Sequence, residues 1–143
     1  MAGVKVLLVD DEADFVEALS ARLEARGLTV DVANDGATAV AKAGERQYDA
    51  IVLDLAMPGM DGIETLRALK ERQADINVIL LTGQASVQKG IEAMKLGAMD
   101  LFEKPVDLNM LLEKIHEARS NIDAAKEEKT RQIIEDILKT KGW

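Results

Sequence analysis

A doubly wound α/β fold, a five-stranded parallel sheet with helices on both faces, is what this sequence predicts, and three observations predict it. Apolar runs rich in Val, Ile and Leu recur five times along the chain. Several of these runs are continuous instead of alternating, as strands covered on both faces require. Segments with helical spacing lie between them, and strict β-α alternation with right-handed crossovers places helices on both sides of one sheet.

The elements follow in order. The first strand is "VKVLLVD" (4–10), and the segment 12–26 after it carries Phe15, Leu19 and Leu23 at steps of four before Gly27, a helix terminator. The second strand is "LTVDVA" (28–33), followed by a helical segment at 36–46. The third is "DAIVLD" (49–54), which breaks into the turn-forming "MPGMDG" before a helix at 62–72. "INVILLT" (76–82) is the fourth, with a helix at 86–96 that closes at Gly97. "MDLFEK" (99–104) is the fifth, and the last helix begins near Asp107.

Beyond Asp107 no Gly or Pro appears for about thirty residues, roughly twice what one packed helix needs. Leu108, Leu111, Ile115, Ala118, Ile122 and Ala125 keep a three-four spacing, whereas Ile133, Ile134, Ile137 and Leu138 begin another stripe. Ser120 with Asp123 three later is a helix-start pattern. The expectation is an α/β domain over 1–120 and a C-terminal helical extension over 121–143, with a separate or kinked amphipathic helix near 124–140.

Composition narrows the function. The chain has 143 residues, 48% of them hydrophobic, which suits one domain with a short appendage. It has no cysteine and one histidine, so thiolate chemistry is excluded and a metal site depends on oxygen ligands, as Mg²⁺ does. A formal net charge of −8 with no Lys/Arg cluster argues against direct nucleic-acid or anionic membrane partners. No apolar run is long enough to span a membrane, and the N-terminus enters a strand-like segment, so a soluble cytoplasmic chain is expected.

In doubly wound sheets ligands gather at the carboxyl ends of the strands. The polar residues there are Asp10 and Asp11, Asp54, Thr82 and Lys104. Taken singly, the acidic pair reads as a helix cap, Asp54 as a turn former, Thr82 as a strand terminator and Lys104 as a solvated charge. Their shared edge favours another reading. Three clustered carboxylates repel, a divalent cation relieves that repulsion, and phosphoryl transfer needs a nucleophile with fixed positive charge around it. Asp54 can be that nucleophile, with its aspartyl phosphate held by the metal, the Thr82 hydroxyl, the Lys104 ammonium and backbone N–H groups.

These residues carry a family resemblance. The chain from Lys5 to about Arg119 resembles a bacterial two-component response-regulator receiver domain of the CheY-like kind, through "LLVDDE" at 7–12, "VLDLAMPGMDG" at 52–62, "LLTG" at 80–83 and "EKPVD" at 103–107. The resemblance implies that Asp54 is the phosphoacceptor and that Asp11, Asp54 and the Ala56 carbonyl bind Mg²⁺, with Asp10 acting through water. It implies that Thr82 and Lys104 contact the phosphoryl group, that the bond before Pro105 is cis, and that the donor is a phosphohistidine on a sensor histidine kinase or a phosphotransfer protein. Its switch surface would be the fourth helix, fifth strand and fifth helix, read by a downstream protein target.

Two positions depart from the family pattern. Leu101 stands where an aromatic is usual, three before the lysine, and neighbouring Phe102 faces the other way in a strand. Ala56 and Gln84 occupy the positions that tune water at the phosphate, and only Gln84 is polar. Ala56 also bears on the rival reading, a Mg²⁺-dependent phosphohydrolase acting through an aspartyl phosphate, because such enzymes typically place a second acid there. The expected chemistry is self-phosphorylation and self-dephosphorylation, not turnover of a separate substrate. The stripe at 124–140 suits a homodimer, docking on the domain or a partner groove. His116 reads as a bland exposed histidine, and Met94, Met99 and Met110 as packing.

Overall fold

The computed structural model describes residues 3–57, 61–83 and 87–140, apart from the side chain of Val87. Its elements alternate as β1 (Lys5–Val9), α1 (Ala13–Ala25), β2 (Thr29–Ala33), α2 (Gly36–Glu45), β3 (Ala50–Asp54), α3 (Gly62–Arg72), β4 (Val78–Thr82), α4 (Val87–Lys95), β5 (Asp100–Glu103) and α5 (Leu108–Thr140). The strands form one parallel sheet in the order β2-β1-β3-β4-β5. The order reverses direction beside β1, so the carboxyl ends of β1 and β3 flank a switch point where such sheets collect ligands.

Every residue of β3 and β4 is buried, which explains why their sequences run apolar without alternation. One face packs Leu7, Val9, Ile51, Leu53, Val78 and Leu80 against α2, α3 and α4. The opposite face packs Val6, Leu8, Val52, Ile79 and Leu81 against α1 and α5. Leu101 contributes to the first core and Phe102 to the second, as strand alternation requires.

Helix ends follow local chemistry. α1 and α4 stop at Gly27 and Gly97, whose φ of 88° and 99° lie in the left-handed region that disfavours a side chain. The Asp35 and Asp61 carboxylates accept from the N–H groups of Thr38 at 2.7 Å and Glu64 at 2.9 Å, capping α2 and α3.

The C-terminal extension is present as a continuation of α5 instead of a separate or kinked helix. Residues 108–140 form one helix of 33 residues, about 50 Å long. Ser120 does not break it, because no Gly or Pro forces a stop and Arg119 bridges the position by pairing with Asp123 one turn on, at 3.3 Å. The buried residues of α5 are Leu111, Leu112, Ile115 and Ala118. Beyond them Ile133, Ile134, Ile137 and Leu138 are all exposed. Of the three methionines read as packing, Met99 packs against the core, whereas Met94 and Met110 are exposed on the outer faces of α4 and the first turn of α5.

Candidate functional site

β1 and β3 are adjacent and in register, Val9 facing Leu53, so the residues that follow them emerge side by side. Asp10 and Asp54 are both almost wholly buried, at 1% and 3% exposure. Thr82, equally buried, ends β4 on the other side of β3. It sits opposite Glu103 of β5, and its carbonyl accepts the Lys104 N–H at 2.8 Å. The sheet thus delivers Asp10, Asp54, Thr82 and Lys104 to one edge. The Lys104–Pro105 bond is cis.

Gly62 seats the start of α3 against Leu55. Its N–H donates to the Leu55 carbonyl at 3.1 Å. A Cβ built there would lie 2.3 Å from the Leu55 Cα and 2.7 Å from the Asp54 carbonyl oxygen. Only glycine lets α3 begin flush against the end of β3, which gives the last residue of "MPGMDG" a steric reason.

The Lys104 ammonium organises the charges. It lies 2.7 Å from the Asp10 carboxylate, 2.9 Å from that of Glu12 and 3.7 Å from that of Asp54. Its side chain is only 11% exposed, and the Phe15 ring covers it with the centroid 4.2 Å from Nζ. Burial works against the ammonium, but its bonds to Asp10 and Glu12 outweigh that and raise the Lys104 pKa.

Asp54 is less well matched. Its Oδ1 accepts the Ala56 N–H at 3.1 Å, so the residue also serves the turn its sequence suggested. Burial pushes its pKa up to about 6; the Asp10 and Asp11 charges push the same way, against the Ala56 N–H and Lys104. The carboxylate is held where its charge is uncomfortable, which suits a group that takes a cation or a phosphoryl group.

Asp10, Glu12 and Asp54 each present an oxygen within 4.8 Å of the others, a set of hard donors suited to a divalent cation. Asp11 is exposed and lies outside this trio, although its charge is felt at Asp54. Ala56 is exposed, with its N–H on the Asp54 carboxylate. The acidic pair does not act as a cap. Glu12 occupies the N-cap of α1 without a side-chain capping bond, while Asp10 accepts the Glu12 N–H at 2.9 Å.

Gln84 lies outside the described residues. His116 is exposed on α5. Sequence reasoning missed two residues. Glu12 is visible as the third acid of "DDE", and Phe15 belongs by its spacing to the apolar stripe of the first helix, where nothing distinguishes a ring that also covers a cation.

Comparison with known proteins agrees with this fold. The model described as "Response regulator receiver domain" matches residues 6–116. The transcriptional regulatory protein ZraR of Klebsiella oxytoca is 38% identical over 115 residues, covering 80% of this chain and 26% of ZraR. The C4-dicarboxylate transport transcriptional regulatory protein DctD of Pseudomonas aeruginosa is 38% identical over 117 residues, covering 82% of this chain and 25% of DctD. The chain therefore spans about a quarter of the length of these curated relatives. A CheY-like receiver domain from Methanospirillum hungatei superposes with a TM-score of 0.82 at 27% identity, covering 87% of this chain and 99% of that one. No helix among the described residues is long and apolar enough to cross a membrane.

Proposed function

The chain belongs to the response regulator receiver domain family, and on that premise we propose that it is a phosphorylation-operated switch in which Asp54 accepts a phosphoryl group from a phosphohistidine. The observation that carries this is the buried Asp54 carboxylate, with its raised pKa, 3.7 Å from the Lys104 ammonium at the switch-point edge. One Asp54 Oδ attacks phosphorus, the P–O bond forms as the P–N bond breaks, and the departing imidazole nitrogen takes up a proton. Lys104 stays charged and draws the phosphoryl oxygens, while the Thr82 hydroxyl offers them a hydrogen bond.

The oxygen donors fit Mg²⁺, which Asp11, Asp54 and the Ala56 carbonyl would hold with Asp10 acting through water; Glu12 joins Asp10 and Asp54 in the observed cluster. When bound, the ion would offset the negative charge shared by the carboxylates and the phosphoryl oxygens. The donor protein would be a sensor histidine kinase or a histidine phosphotransfer protein. The added charge biases the segment after Thr82, α4 and β5, and a target protein reads the α4-β5-α5 surface. The exposed Ile133, Ile134, Ile137 and Leu138 stripe gives the extension a face for a partner or a second copy.

Intact mass after incubation with acetyl phosphate and Mg²⁺ tests the reading. Wild type should gain one phosphoryl group and Asp54→Asn none. An unmodified wild type, or turnover of small phosphate esters that depends on Asp54, would instead favour a chain that binds without phosphorylation or a phosphohydrolase.

A further inference from the structure

We propose that Phe15 is a positioning residue for Lys104, its ring face holding the ammonium where it meets the phosphoryl group; this rests on the Asp54 reading above. Lys104 leaves the end of β5 on a loop, yet its side chain is nearly enclosed. Asp10 and Glu12 engage the ammonium through two hydrogen bonds. Asp54, at 3.7 Å, lies beyond hydrogen-bond reach. The ring, 4.2 Å away, supplies the remaining wall, and an aromatic face attracts a cation while excluding water from it.

The ring is itself well held. Phe15 sits in the first turn of α1, and that turn is joined to the acid loop by the Val16 N–H bond to the Glu12 carbonyl at 3.0 Å and the Glu12 N–H bond to Asp10 at 2.9 Å. Its other side packs into the core that also takes Phe102, Val106 and Leu108. Acid loop, ring and lysine therefore form one unit. Glu12 is the loosest wall, because its side chain is 62% exposed and its attraction is screened by water. When the phosphoryl group arrives, the ammonium can exchange Glu12 for phosphoryl oxygen without leaving the ring.

The role needs an aromatic face at position 15, not merely apolar bulk. Phosphorylation by acetyl phosphate with Mg²⁺ should slow by about three- to twentyfold in Phe15→Leu and stay within about twofold of wild type in Phe15→Tyr, as expected for loss or retention of a partly desolvated cation–π contact. The loss should appear in the rate at saturating acetyl phosphate. In a Lys104→Met background, Phe15→Leu should add nothing. An equal slowing in that background would make Phe15 a packing residue and overturn the proposal, as would a wild-type rate in Phe15→Leu.

Proton NMR of the unphosphorylated protein provides a readout independent of Asp54 chemistry. The Lys104 ε-methylene protons should be shifted upfield by the ring in wild type and Phe15→Tyr, and return to ordinary lysine values in Phe15→Leu. If wild type takes no phosphoryl group, the function reading fails, while the shift still decides the contact. Ordinary Lys104 shifts in wild type would overturn the contact whatever the phosphorylation result.

Discussion

β3 carries an aspartate at its last position and another just before its first, and the two are treated in opposite ways. Asp49, preceding the strand, accepts the Lys5 N–H at 2.7 Å and the Arg119 guanidinium at 3.2 Å. Asp54, ending it, has one backbone donor at 3.1 Å and its nearest ammonium at 3.7 Å, and burial, with two neighbouring acids, raises its pKa. Asp49 is a fastener that ties β1, β3 and α5 together with its charge answered. Asp54 is buried with its charge only partly answered, and that shortfall is what a cation and a phosphoryl group can use.

The largest consequence should appear as a pH dependence of opposite sense to the usual carboxylate case. Asp54 titrates near 6 in the folded protein against about 3.9 in the unfolded chain, so the native state binds more protons between those values. Its contribution to stability is then greatest at low pH and is lost as pH rises through the folded pKa, by up to about 3 kcal/mol over the full window. Urea unfolding without divalent cations, compared between wild type and Asp54→Asn, should show wild type losing about 1 to 2 kcal/mol relative to the variant from about pH 5 to about pH 7.5. Parallel profiles would mean that the Asp54 charge is fully answered in the fold.

Asp49→Ala should act in the opposite direction and cost about 1 kcal/mol near neutral pH, since it takes the acceptor from the Lys5 N–H and one partner from the Arg119 guanidinium, which keeps Asp123. The measurement is the same urea transition. If Asp49→Ala and Asp54→Asn moved the midpoint the same way, the contrast between fastener and poised carboxylate would collapse.

How much of this could be read from the sequence depends on whether a signal is local. The strands and the Asp54 edge were legible because period and strand order fix them, and Asp10, Thr82 and Lys104 came with the same topology. The clustering of Glu12 was not, because it depends on which way three consecutive acids turn after β1: Asp10 turns inward, Asp11 outward, and Glu12 back to Lys104. The Phe15 contact spans 89 residues of chain and leaves no trace in local spacing. The continuity of the extension is hidden for a related reason. Ser120 resembles a helix start, but a helix already running has no nucleation cost to meet again, so a lone serine does not stop it.

That continuity leads to the smallest expected effect. α5 buries apolar residues fully only as far as Ala118, with Ile122 half-buried after it, and Arg119, fastened to the domain through Asp49, pairs forward with Asp123. From Asp123 to Thr140 every residue is exposed, and among the described pairs there the Arg131–Glu128 bridge at 3.0 Å is a surface contact of little value. A chain ending after Asp123 should therefore match the full chain within about 0.5 kcal/mol in urea. The full chain should shed the extension's helical circular dichroism gradually on heating, before the domain's cooperative transition. A loss of several kcal/mol on truncation would mean that residues 124–140 return to the domain or meet a second copy in solution. In that case the end of the molecule that carries Asp49 would hold a second functional surface, and the division of labour along β3 would be between two working ends instead of one working end and one anchor.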